Sequence, residues 1–156
     1  MPPITPFLWF HGDADEAVDH YISIFPNSRR IAATNYGPGL PGREGTTLTV
    51  SFELDGKPFI ALNGESDFHF TPSVSFLIGC EGQEEVDYYW DRLLEGGKPV
   101  QCGWLTDRFG LSWQVVPNRL GELLSDPDQE RANRVLQAML KMVKLDLAEL
   151  EAAAAD

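Results

Sequence analysis

The densest run of side chains able to do chemistry is Gln101-Cys102-Gly103-Trp104-Leu105-Thr106-Asp107-Arg108-Phe109-Gly110-Leu111-Ser112-Trp113-Gln114. Cys102 is its one candidate nucleophile. A thiol attacks as the thiolate, which needs a nearby cation or base to form. Arg108 could lend the charge, but no His stands where it could act as base. The alternative is a small thiol packed in a sheet, which is also the reading for Cys80. Asp107 could take a proton while Arg108 holds an anionic ligand. Equally, an Asp and an Arg beside a hairpin turn satisfy each other and the turn backbone. Trp104 and Trp113, with Trp9 far upstream, suit either a pocket wall or a core. Gln114 suits a pocket lining, hydrogen-bonded to a ligand or water.

The three histidines do not converge. His11 closes an apolar run, His20 sits beside Tyr21 on the outer side of a helical stretch, and His69 lies between Phe68 and Phe70. Surface or loop roles fit all three better than metal ligation. Phe68 and Phe70 suit either the lid of a cleft or a clamp on the linker. Two cysteines make no disulfide framework, and with no signal-peptide pattern they are expected as reduced thiols in the cytoplasm. The chain holds 24 acidic against 12 basic residues, a formal charge of −12. That balance argues against nucleic acid and against an anionic membrane surface. No apolar run approaches the roughly 20 residues that cross a bilayer.

These side chains need elements to hold them. Thr5 to Phe10 reads as a strand. Asp13 and Glu16 read as the two halves of a capping box, and Ala17, Val18, Tyr21, Ile22 and Phe25 follow at helical spacing. Ser28 to Tyr36 is β-prone, and Gly37 to Gly42 is a loop. Thr46 to Leu54 alternates apolar and polar residues, Asp55-Gly56 is a hairpin turn, and Pro58 to Leu62 returns. After a link from Asn63 to Pro72 the order starts again. Ser73 to Cys80 is a strand, Gln83 to Glu95 a helix, and Pro99–Gln101, Gly103–Asp107 and Leu111–Val116 are three short strands. Beyond Pro117 the pattern turns helical. Asp126-Pro127 opens a helix with the apolar stripe Ala132, Val135, Leu136, Met139, Leu140 and Val143. Asp146 caps a last short helix.

The two halves also match in letters. Glu16-Ala17-Val18-Asp19-His20-Tyr21 returns as Glu84-Glu85-Val86-Asp87-Tyr88-Tyr89, and each copy follows an apolar run. The expected fold is therefore α+β: two tandem βαβββ modules, residues 4–63 and 73–117, with a helical tail over 118–156, all in one domain of 1–156.

The motifs Ile4 to Phe10, Ala17 to Tyr21 with Ile24 to Ser28, Phe59 to Gly64, and Gln101 to Gln114 resemble the PhnB-like proteins, often described as 3-demethylubiquinone-9 3-methyltransferase-like. These are a branch of the vicinal oxygen chelate superfamily of glyoxalases, bleomycin-resistance proteins and dioxygenases. The resemblance runs over nearly the whole chain, tail included. It implies curled mixed sheets around a ligand cleft. Metal-dependent relatives place ligands at positions that fall here near Pro6 or Leu8, near Val74 or Ser75, and at Gln114. Only Gln114 could bind a metal, and weakly, so no metal and no cofactor are expected. No glycine-rich loop opens a helix after a strand, which leaves methyl transfer without a cradle for its cofactor. The expected role is binding a small, partly apolar or aromatic molecule through Trp9, Ser75, Trp104, Arg108, Trp113 and Gln114. A metal-independent reaction at Cys102 or Asp107 is the alternative. The tail stripe asks for cover, either on its own sheet or by a second copy in a two-fold homodimer.

Overall fold

The computed structural model describes residues 2–155. The chain divides into two compact units, one up to Phe68 and one from His69 onward. Each unit is built on the same plan.

In the first unit β1 (Phe7–Phe10), α1 (Ala14–Ile24), β2 (Arg29–Asn35), β3 (Thr47–Leu54) and β4 (Lys57–Asn63) follow in order. The sheet order is β1-β4-β3-β2, with β1 parallel to β4 and the other pairs antiparallel. Alternation decides which face is covered. Leu8, Phe10, Val50, Phe52, Leu54 and Ala61 are buried, as are Ala14, Ala17, Val18, Tyr21 and Ile24 of α1. Phe7 and Trp9, in register with Ile60 and Leu62, lie on the open face. The Asp55-Gly56 hairpin turn is present, with left-handed φ of 50° and 73° at its two residues, as a type I′ turn requires. β2 is an edge strand, exposed along its whole length and shifted in register twice.

The start of α1 departs from expectation. Asp13 makes no side-chain cap bond; its carboxylate accepts from the His11 amide at 3.3 Å. The first helical N–H, that of Ala14, donates instead to Oδ1 of Asn63 at 2.9 Å. The register explains this. Asn63 pairs with Phe10 at the end of β1 and so faces the point where the helix begins. Its Nδ2 donates to the Thr47 carbonyl at 3.2 Å.

The second unit repeats the plan with β5 (Ser75–Cys80), α2 (Gly82–Leu94), β6 (Lys98–Pro99), β7 (Trp104–Thr106) and β8 (Ser112–Pro117), in the order β5-β8-β7-β6. β5 runs parallel to β8 and the rest are antiparallel. The α+β fold of two βαβββ modules with a helical C-terminus thus stands. Each sheet is open, with two edge strands, and is not rolled on itself as expected. β6 and β7 are shorter than expected because Cys102 and Gly103 both take left-handed φ, 60° and 83°, and turn the chain between them.

The tail forms α3 (Arg119–Leu124), α4 (Gln129–Met139) and α5 (Leu147–Ala155). Asp126-Pro127 does not open α4. Asp128 does, its Oδ1 accepting from the amides of Glu130 and Arg131 at 3.1 and 3.2 Å, while Asp126 takes the Asp128 amide at 2.9 Å. Asp146 caps α5 as expected, accepting from Glu149 at 3.0 Å. The stripe divides. Val135 joins Leu120, Leu123, Met142, Leu145 and Leu150 in a core of the second unit, with Met139 against it. Leu136, Leu140 and Val143 stay exposed by 37%, 50% and 40%. Gln83 ties the tail to α2. Its Nε2 donates to the Leu145 carbonyl at 3.0 Å and its Oε1 accepts from the Leu147 amide at 2.8 Å. Among the described residues no helix is long and apolar enough to cross a membrane.

Candidate functional site

The long motif at 101–114 splits between the two faces of the second sheet. Leu105, Trp113 and Val115 are buried on the side of α2, with Val86, Trp90 and Leu93. Trp104 and Leu77 both pair with Gln114, so by strand alternation these three share the open face with Ser75. Nε2 of Gln114 donates to Oγ of Ser75 at 2.9 Å. Trp104, Gln114 and Ser75 are half-buried, and Leu77 is 59% exposed. A ring, an aliphatic side chain and an amide–hydroxyl pair therefore stand together on one accessible surface.

Asp107 is engaged elsewhere. It is 3% exposed. Its Oδ1 accepts from the amides of Phe109 and Leu111 at 2.8 and 3.0 Å, and its Oδ2 from the Trp113 indole at 2.8 Å. The carboxylate thus folds the β7–β8 turn and holds Trp113 in the core. Neither residue fits the expected ligand or acid–base role, because a ligand would have to displace these bonds. Arg108 lies exposed at the turn, its guanidinium 5.2 Å from the centre of the Phe109 ring. The expected Asp107–Arg108 partnership is not among the ion pairs of the described residues, where Asp107 serves the backbone and Trp113.

Cys102 sits half-buried at the β6–β7 turn, its amide donating to the Met142 carbonyl at 2.9 Å. Cys80 is fully buried, and burial, helped by the charge of Glu85, pushes its thiol up to about 11. That is a protonated, unreactive thiol. In the first unit Trp9 stands on the open face with the edge of Phe68 against it, ring centres 5.3 Å apart. His11 Nε2 donates to the Phe68 carbonyl at 2.7 Å. Among the described residues no three His, Cys, Asp or Glu side chains gather as a metal site would need. Of the positions that the resemblance implied for a metal, Ser75 and Gln114 hydrogen-bond each other, and a hydroxyl and a neutral amide are weak donors for a divalent ion.

The sequence profile of the family described as 3-demethylubiquinone-9 3-methyltransferase matches residues 2–116. The chain belongs to this family. It is PhnB-like, within the vicinal oxygen chelate superfamily. The matched residues stop before α3, so the tail lies outside them, contrary to the resemblance expected through it. The PhnB protein of Bacillus cereus is 34% identical over 74% of this chain and 99% of its own, with a TM-score of 0.68. A Pseudomonas aeruginosa protein is 20% identical over 75% of this chain and 98% of its own, at a TM-score of 0.65. The fosfomycin resistance protein FosX of Listeria monocytogenes is 17% identical over 80% and 98%, at 0.59. The last two share the fold. A search of curated proteins gives no match.

A concavity lies in the first unit of this PhnB-like chain, and no motif of the sequence marks it. The loop from Tyr36 to Thr46 is closed at its neck by two backbone bonds, Tyr36 to Thr46 at 2.8 Å and Gly45 to Tyr36 at 2.9 Å. It carries Arg43 over the Tyr36 ring, 5.5 Å from its centre, and into an ion pair with Glu65. An open cleft of about 400 Å³ lies there, lined by Gly12, Arg43, Thr46, Thr47, Asn63 and Glu65. The glycines at 37–42 marked a loop but not what it would hold.

Proposed function

We propose that this PhnB-like protein binds a small, partly apolar or aromatic molecule on the open face of its second sheet, without a metal. The observation that carries the reading is the Ser75–Gln114 hydrogen bond beside Trp104 and Leu77. A hydrophobic surface with a few placed polar groups is the usual make-up of a small-molecule site. The ring of the ligand would lie against Trp104, and a carbonyl or hydroxyl would meet the Gln114 amide. Arg108 at the nearby turn would favour a ligand with a negative group. Trp9 offers a like surface on the first sheet.

Binding without an assigned reaction is the reading adopted. Methyl transfer, named in the family's description, would need a cofactor cradle, and both sheets here are mixed rather than the doubly wound parallel kind that usually supplies one. A charge of −12 opposes nucleic acid as a partner, and two free cysteines suit a cytoplasmic setting.

The test is quenching of Trp fluorescence by a panel of small aromatic acids and quinols. Trp104→Ala is expected to weaken the best ligand about tenfold or more, near 1.4 kcal/mol, with the thermal midpoint little changed. Equal affinity in wild type and variant would move the site elsewhere.

The assembly proposed is a two-fold homodimer, supported by the apolar Leu136, Leu140 and Val143 left exposed on the tail. Light scattering is expected to give twice the 17.4 kDa of one chain. A mass of one chain at micromolar concentration would refute it.

A further inference from the structure

The cleft under the 36–46 loop is chemically unlike the Trp104 face. It holds one full charge of each sign. Arg43 is the better shielded partner, its side chain 28% exposed, and Glu65 the open one at 87%. Around them stand Thr46 and Thr47, the Gly12 backbone and the buried Asn63. The floor is fixed. Tyr36 donates its hydroxyl to the Asn63 carbonyl at 2.5 Å, and Asn63 ties Ala14 to Thr47. Gly12 has a left-handed φ of 97° and open space where a Cβ would stand.

An exposed ion pair in water is weakly held. A ligand that supplies an anion to Arg43 and a cation to Glu65 can open it with no charge left unpaired. A plain anion would meet the Glu65 carboxylate on a chain of strongly negative charge, and a plain cation would meet Arg43. The guanidinium fork suits a planar carboxylate.

We propose that this cleft is a binding site for a small zwitterion bearing a carboxylate and an ammonium, of the free α-amino-acid class. Its carboxylate lies on Arg43, its ammonium on Glu65, and a short polar side chain meets the Thr47 hydroxyl and donates to that of Thr46, whose own proton goes to the Arg43 carbonyl at 2.6 Å. The site lies wholly in the first unit and stands independently of the Trp104 face.

The experiment is an amide NMR titration of the whole protein with L-serine, and in parallel with acetate and with methylammonium, which each carry half of the recognition. Saturable shifts are expected at Gly12, Arg43, Thr46, Thr47 and Asn63 with L-serine at millimolar concentrations, and binding about tenfold weaker for either half-ligand. Arg43→Gln and Glu65→Gln should each cost L-serine about tenfold, while resonances of the second unit stay in place as the check on folding. Glu65→Gln should also strengthen acetate binding. The proposal is overturned if L-serine gives no saturable shift, or if acetate alone binds wild type as well as L-serine does. It is equally overturned if Glu65→Gln leaves L-serine affinity unchanged.

Discussion

The two modules share a strand order and differ in how each is held. In the first, the hairpin between β3 and β4 closes on backbone geometry, with Asp55 and Gly56 both left-handed. In the second, the link between β7 and β8 is longer, and the buried carboxylate of Asp107 organises it through three donors. The helices differ too. α1 turns Val18, Tyr21 and Ile24 inward, whereas α2 turns Val86, Trp90 and Leu93. The next inward residue comes three positions after Val18 but four after Val86, so Tyr21 is fully buried while its counterpart Tyr89 is only half so. A duplicated plan fixes topology, but each copy meets its polar needs with whatever residues stand at the right places.

The sharpest way to break this contrast is at the two hairpins. Asp107→Ala leaves two backbone N–H groups and the Trp113 indole without their acceptor. At about 1–3 kcal/mol for each buried orphan, the loss should reach about 4 kcal/mol. Asp55→Ala should lose about 1 kcal/mol, mainly from a left-handed residue that Asp tolerates better than Ala. Urea unfolding of both variants measures this, and comparable losses at the two sites would erase the distinction.

The helix starts come next. Asn63→Ala removes a cap on Ala14 and a donor to Thr47 at a residue 7% exposed, and should destabilise by about 2 kcal/mol. Asn118, at the corresponding end of β8, donates to the exposed Glu81 at 2.8 Å. Asn118→Ala should therefore cost under about 1 kcal/mol. A reversed order would show that α2, not α1, depends on a cap delivered from the last strand.

The smallest effect concerns the tail. Lys144 pairs with Asp87 at 2.8 Å on the surface of α2. The hydrogen bonds from Lys144 and Gln83 hold the Asp87 carboxyl below its ordinary 3.8, and the bond to Asp87 raises the Lys144 amine above its ordinary 10.5. The pair therefore stabilises fully between those two ordinary values. It is lost as pH falls through the lowered carboxyl value, and again as pH rises through the raised amine value. Because both groups are open to water, Lys144→Met should cost about 0.5 kcal/mol at neutral pH and low salt. The gap to wild type should close at either pH extreme. A gap that persists in strong acid would assign the loss to packing of the lysine stem.

What the sequence made legible follows from distance along the chain. The helix repeat, the strand alternation at Thr46 to Leu54 and the Asp55-Gly56 turn are local, and they appear where expected. Asp13 and Glu16 have the pattern of a capping box, but the acceptor that serves α1 is Asn63, 49 residues beyond Ala14. Only the β1–β4 register brings them together. The opening of α4 at Asp128 rather than Pro127 was a choice between neighbouring caps that propensity does not separate. In the segment from Gln101 to Gln114, the sequence marked the residues able to do chemistry but not which of the two faces each would take. The odd–even alternation of β8 opens Gln114 and turns Trp113 inward, the β7 register sets Trp104 beside Gln114, and Asp107 is buried in the turn between the two strands. Cys102 showed no sign of its left-handed φ, since only the glycine after it carries such a mark. The Arg43 cleft combines residues from the helix start, the long loop and the end of β4, and no short window contains them.

One feature of the tail bears on synthesis. The first unit holds its sheet, its α1 cap and its His11 latch once the ribosome has released Phe68. The second unit has all its strands by Pro117, yet the amides of Cys102 and Gly103 reach their acceptors only in Met142 and Val143, at 2.9 and 2.7 Å. The turn that presents Trp104 therefore stays unfinished through α3 and α4. The two copies of one plan are thus completed by chain segments of different reach, and the Trp104 face of the second depends on the tail.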